Sequence, residues 1–125
     1  MSGYWFLASP FSTHPEGPDV AFDEICQVAG DFAKAGISAF SPIAHSYPIA
    51  RALGLDPFDY RIWFKFNDGM MTAAKGLIVV KLNGWHSSFG VKQEMAYFAS
   101  VRKPIKYLDP GLPLFGGEPL ERIAA

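Results

Sequence analysis

The stretch Leu77 to Leu82 (LIVVKL) constrains the fold more than any other part of the chain. A short, nearly continuous apolar run with no alternation belongs to a strand covered on both faces, and such strands occur in parallel sheets flanked by helices. The polar, glycine-containing segment NGWHSSFG follows, and then Val91 to Val101, whose apolar residues recur at helical spacing. Strand, loop and helix start therefore follow one another. In open parallel sheets ligands sit outside the carboxyl ends of the strands, so this loop is the first place to look for a site.

The remaining segments fit the same plan. Tyr4 to Ala8 (YWFLA) reads as the first strand, buried on both sides and closed by Ser9-Pro10. Phe11 to Asp19 is a proline- and glycine-containing loop at its carboxyl end. Val20 to Ala35 reads as a helix, started by Pro18-Asp19 and stopped by Gly36. Ile37 to Phe40 is a second, short strand. Pro42 to Asp59, with three prolines, is expected to be a long irregular excursion with one helical turn near Ile49 to Leu53, and a substrate lid would account for its length.

Tyr60 to Ala74 reads as a second helix, directing Ile62, Trp63, Phe66, Met70 and Ala74 to the core, although Asn67-Asp68-Gly69 is poor helix material. Gly76 is expected to cap it. Val91 to Val101 forms a third helix, whose terminal dipole suits Arg102 and Lys103, and Pro104 to Leu108 a fourth strand. From Asp109 the chain is a proline- and glycine-rich tail, an ordered wrap or a partner-binding arm. The order β-α-β-α-β-α-β implies one α/β domain over residues 1–125: a three-layer, doubly wound sandwich on a parallel sheet of four to five strands, flavodoxin-like or Rossmann-like.

Composition narrows the partners. With 125 residues, half of them hydrophobic, there is room for one core and not two. Eleven Lys plus Arg against twelve Asp plus Glu, without a basic stripe, argue against a nucleic-acid polymer or a membrane surface as ligand. No apolar run approaches the ~20 residues of a membrane span. Cys26, the single cysteine, has no intrachain disulfide partner, and the opening MSGYWFLASPF lacks a signal peptide's basic and apolar regions, so a cytoplasmic location is expected. His14, His45 and His86 lie far apart with no carboxylate at ligand spacing, and metalloprotease, Cys-x-x-Cys, nucleophile-elbow and P-loop patterns are absent. Neither a metal nor an organic cofactor is expected.

Among the remaining groups Glu94 stands out. It follows Val91 by three residues and precedes Phe98 by four, which puts a carboxylate at the border of the helix face that packs inward. Burial there costs desolvation energy unless the charge is used. The plainer role is to complement the helix N-terminus, worth about 0.3–1 kcal/mol. Ser88 is either an N-cap or, with the amides of Gly90 and Val91, an anion holder. Asp68 either pairs with Lys65 or serves a site, and His45 is either solvated or contacts a ligand.

The segment Ser88-Phe89-Gly90-Val91-Lys92-Gln93-Glu94 resembles the S-x-G-V-x-x-E stretch of the nucleoside 2-deoxyribosyltransferase superfamily, which includes the 2'-deoxynucleoside 5'-phosphate N-hydrolases. Phe6-Leu7-Ala8-Ser9-Pro10 is similar to that superfamily's Y-L-A-G-P strand end, Ser41-Pro42 with His45 to its second loop, and Asp68 to an active-site aspartate. The wording around Ser9-Pro10, Ser41-Pro42-Ile43 and Gly84-Trp85-His86-Ser87-Ser88 looks closest to a small bacterial and phage branch of the domain-of-unknown-function type. The resemblance spans Trp5 to Leu108. It departs at Phe6, where the superfamily has tyrosine and Tyr4 is a candidate substitute, at Ser9 in place of glycine, and at Asn83 where transferases carry aspartate.

What the resemblance implies is cleavage or transfer of the N-glycosidic bond of a 2'-deoxynucleoside or its 5'-monophosphate. Glu94 would be the nucleophile and Asp68 a second catalytic group that holds the sugar or protonates the base. Ser9, Phe11, His45, Ser88, Gly90 and Tyr4 would bind the substrate, with Met95, Phe89 or Phe11 walling C2 and Trp85 and His86 flanking the pocket. It also implies a homodimer or larger assembly, in which Trp5, Trp63 and Phe66 serve as core or subunit-contact aromatics. Two rival functions share the pattern: a non-catalytic nucleotide-binding or scaffolding module, and a glycohydrolase of another nucleotide such as NAD.

Overall fold

The computed structural model describes residues 3–110 and 120–125. Four strands, β1 (Trp5–Ala8), β2 (Ala39–Phe40), β3 (Gly76–Val80) and β4 (Ile105–Leu108), form one sheet in the order β2-β1-β3-β4, all parallel. Five helices join them: α1 (Pro18–Lys34), α2 (Pro42–Leu53), α3 (Tyr60–Ala73), α4 (Phe89–Ser100) and α5 (Leu120–Ala124). The expected three-layer α/β sandwich is observed.

The two-residue side-chain period of a strand divides the core. Trp5 and Leu7 of β1 and Ile78 and Val80 of β3 meet Ile25, Val28 and Phe32 of α1 and Ile123 of α5. Phe6, Ala8, Leu77 and Val79 point the other way, onto Val91 and Phe98 of α4. Every residue of β1 and β3 is buried, which is why these runs show no polar alternation. In-register pairing of Phe6 with Leu77 and Ala8 with Val79 brings the carboxyl ends of β1 and β3 side by side. From β1 the chain steps one way to β2 and then returns to the other side for β3, so this pair is the topological switch point.

Several expectations are corrected. The segment from Pro42 is not an irregular excursion but helix α2. Ser41 is its N-cap, with Ala44 N–H donating to Ser41 Oγ at 3.1 Å, and Pro42 takes the first turn, where a missing N–H costs nothing. Pro48 sits inside the helix, and Gly54, at φ +67°, ends it. The aromatic face of α3 is not core: no residue of this helix is buried, and Tyr60, Ile62, Phe64 and Phe66 are exposed. Only Met70 and Met71 near its end, and Ala74 just beyond it, reach the hydrophobic cluster.

Gly76 belongs to β3 rather than capping α3; a Cβ there would lie 2.5 Å from the Trp5 ring and 2.8 Å from the Pro104 carbonyl oxygen. The Lys103 ammonium closes α3, donating from Nζ to the carbonyls of Thr72 and Ala74 at 2.6 Å each, while its backbone N–H donates to the Phe98 carbonyl at the end of α4 at 3.1 Å. Of the tail, residues 111–119 lie outside the described residues. Its end is α5, which packs on β4 and delivers Ile123 to the core. No helix among the described residues is long and apolar enough to cross a membrane.

Candidate functional site

Two loops meet at the carboxyl edge of the sheet and are tied together there. Thr13 Oγ1, in the loop after β1, donates to the Gly84 carbonyl after β3 at 2.9 Å. Gly84 holds φ +94°, and a Cβ on it would stand 2.5 Å from the Thr13 carbonyl oxygen, so only glycine lets the two loops approach this closely. His14 anchors the same loop from below: Glu16 N–H donates to Nδ1 at 3.1 Å, leaving Nε2–H to donate to Glu24 Oε1 at 2.6 Å. No local sequence pattern encodes this pair, because its partners are ten residues apart on different elements. Ser88 starts α4 as an N-cap, its Oγ accepting from Val91 N–H at 3.2 Å.

Between these loops lies a hollow of two joined lobes, of about 200 and 300 Å³. Small-molecule sites typically occupy ~300–1,000 Å³. The inner lobe is bounded by Ser9, Ser46, Ser88, Gly90 and Glu94, with Phe11 and Ile43 as apolar walls. The outer lobe opens between α3 and the start of α4, against Tyr60, Phe64, Met71 and Phe89. Phe58, Trp63, Asn67 and Glu94 border both lobes.

Glu94 is half-buried as a residue, and protein atoms crowd its carboxyl group. Loss of water around that group pushes its pKa from 4.5 up to about 8. The helix packing that buries Val91 and Phe98 on the same side of α4 holds it there. Of the four buried polar side-chain atoms without a hydrogen-bond partner among the described residues, Trp5 Nε1 and His45 Nδ1 lie away from the hollow and two border it. Ser9 Oγ and Asn67 Oδ1 are buried and have no hydrogen-bond partner among the described residues, a state that costs about 1–3 kcal/mol per group. Both residues line the hollow.

The structure thus brings together Glu94, Ser88, Gly90, Ser9 and Phe11, five of the eight residues selected from sequence. Asp68 is exposed and does not line the hollow. Its neighbour Asn67 does, since one step along a helix turns the side chain by about 100°. Tyr4 lies at the opposite edge of the sheet, its hydroxyl donating to the Met70 carbonyl. His45 does not line the hollow and stacks on Phe66, ring centroids 4.4 Å apart and planes 4° from parallel.

Trp85 packs on the core with its edge toward Tyr107, and Met95 also packs inward, so neither lines the hollow. Trp63, expected in the core or a subunit contact, is half-buried and lines the hollow, its Nε1–H donating to the Asp56 carbonyl at 3.3 Å. Sequence reasoning missed Asn67, Trp63 and Phe58. For Asn67 a signal existed, the unfavourable Asn-Asp-Gly triplet inside a helix. Among the described residues no three His, Cys, Asp or Glu side chains gather as a metal site would require.

A family model described as a domain of unknown function (DUF1937) matches residues 3–109, nearly the whole chain, and the protein belongs to that family. No curated protein matches the chain.

Proposed function

We propose that the protein breaks the N-glycosidic bond of a 2'-deoxynucleoside or deoxynucleotide, with Glu94 as the group that meets the anomeric carbon. The observation that carries this reading is the crowded Glu94 carboxyl, set in a ligand-sized hollow at the switch point of a parallel sheet. The resemblance of Ser88 to Glu94 to the S-x-G-V-x-x-E stretch supports it, and so does the convergence of Ser9, Phe11, Ser88 and Gly90 on the same hollow.

In this mechanism the bond between C1' and the base nitrogen breaks as the Glu94 carboxylate approaches C1' from the opposite face. The base leaves with the bonding electron pair and takes up a proton. The oxocarbenium-like sugar is stabilised as an ion pair or collapses to a glycosyl ester on Glu94. Water, or a second base, then attacks C1', releases the carboxylate and gives up a proton. A 2-deoxy sugar lacks the electron-withdrawing hydroxyl that disfavours the cation, and the apolar walls at Phe11 and Ile43 offer C2 a contact that needs no hydrogen bond.

Because Glu94 holds its proton to about pH 8, the ligand-free protein is mostly in the protonated form at neutral pH. Reaction through the ionised carboxylate therefore predicts kcat/KM that rises with pH and levels off above about 8. Should the protonated form act instead, as general acid to the departing base, the profile falls over the same range. The exposed Tyr60, Ile62, Phe64 and Phe66 of α3 support self-association of the chain, which light scattering measures.

The test of function is incubation with deoxynucleosides, their 5'-monophosphates and NAD, followed by chromatography for free base or nicotinamide, with Glu94→Ala as control. Base released by the wild type and not by the variant supports the reading. Equal release from both, or none on any substrate, refutes it.

A further inference from the structure

The hollow at Glu94 carries a second message in its charge. Its described lining holds one carboxyl group and no Lys, Arg or His. What faces the interior is neutral: the Ser9 hydroxyl, 8% exposed as a residue, the Asn67 carboxamide, and aromatic rings at Phe11, Phe58 and Trp63. We infer, building on the reading above, that this site takes an uncharged nucleoside and discriminates against its 5'-monophosphate, with Asn67 and Ser9 supplying the hydrogen bonds that recognise the neutral ligand.

A phosphate dianion brought into a poorly solvated space needs a cation or a full set of donors in exchange for its water. The donors here are few. The Ser88 hydroxyl, which accepts from Val91 N–H as the helix cap, keeps a single proton to donate, and the free amides at Phe89 and Gly90 supply only the partial charge of a helix end. A dianion near Glu94 would also hold the proton on that carboxyl more firmly, opposing ionisation when the reaction needs it.

A neutral nucleoside meets none of these obstacles. The base has an aromatic lobe to enter, since Trp63, Phe58 and Phe64 border its opening. The Asn67 side chain presents one donor and one acceptor in a plane, the pattern that reads a nucleobase edge in pairs. A carboxamide cannot hand a proton to the departing base, so Asn67 is a recognition group and not an acid.

Calorimetric titration of the Glu94→Gln variant with a deoxynucleoside panel and the matching 5'-monophosphates tests the inference without depending on turnover. The expected result is binding of at least one deoxynucleoside at least about tenfold tighter than its monophosphate. Replacing Asn67 by Leu, which keeps the bulk and removes the hydrogen bonds, is expected to weaken nucleoside binding by about tenfold or more with folding verified by circular dichroism. Placing a cation at the exposed rim with Ser12→Lys is expected to raise monophosphate affinity and narrow the ratio. Equal or tighter binding of the monophosphate, binding of neither ligand, or an unchanged ratio in Ser12→Lys would each overturn the inference. If the nucleoside preference appears but the wild type releases no base, the proposed reaction fails and the ligand assignment stands.

Discussion

The two edges of the sheet differ in how their polar groups are used. At the amino edge described polar groups are paired: the Tyr4 hydroxyl donates to the Met70 carbonyl, Lys75 N–H to the Tyr4 carbonyl at 2.9 Å, and Lys103 closes the end of α3. Trp5 Nε1 is the exception, with the Lys75 ammonium 5.2 Å above the indole ring. Hollows of about 560 and 410 Å³ lie at this edge, larger than either lobe at the carboxyl edge. Yet it is the carboxyl edge that holds a desolvated acid, a buried hydroxyl and a buried carboxamide side by side, all unmatched. Size alone does not mark a site; polar groups buried without partners do, because folding bears their cost until a ligand meets them.

The sharpest way to break this contrast is Glu94→Ala, for which base release is expected to fall at least about 10³-fold, as loss of a covalent or ion-pairing group requires. A measurable rate in that variant close to wild type would make the two edges equivalent. Glu94→Gln tests the same group through stability. In the unfolded chain Glu94 ionises near 4.5, whereas in the folded protein it keeps its proton to about 8. Between these values the unfolded state alone is charged, so the wild type loses stability as pH rises from about 4.5 to about 8 and holds level above. The neutral glutamine removes that penalty. Chemical denaturation should show the variant gaining over wild type as pH is raised from 5 to 9, by at most on the order of 4 kcal/mol, and by less to the extent that water reaches the hollow.

Gly84→Ala probes the tie that assembles the carboxyl edge. It forces a Cβ into the Thr13 backbone at a positive φ, and a loss of about 3 kcal/mol is expected in denaturant unfolding. Base release should drop with it, because the loop bearing Ser9 and Phe11 shifts. The smallest effect belongs to the amino edge. Tyr4→Phe removes one matched hydrogen bond, should cost about 1 kcal/mol, and should leave base release unaltered. A large catalytic defect in that variant would show the edges to be coupled.

Particular residues show why the sequence revealed some of this and hid the rest. β1 and β3 were legible because their unbroken apolar runs can only be interior strands, and Glu94 because its spacing to Val91 and Phe98 fixes its place on α4. The helix α2 was hidden by Pro42 and Pro48, which look like breakers until the first is recognised as an N-terminal residue behind the Ser41 cap. For α3, periodicity showed that one face is apolar but not that every residue on it keeps some exposure among the described residues. Asp68 matches the aspartate of the resembled superfamily, but a rotation of about 100° per residue on α3 brings Asn67 and not Asp68 to the hollow. The His14 and Glu24 pair depends on tertiary contact alone, so no local pattern encodes it.

The central claim is that the Glu94 carboxyl is held out of water at the carboxyl edge of the sheet, where a ligand meets it. Carbon-13 NMR titration of glutamate-labelled protein, with the Glu94→Gln variant assigning the resonance, measures this directly. The account predicts a midpoint near 8 in the free protein. A midpoint near 4.5, the value of a glutamate bathed in solvent, would contradict it.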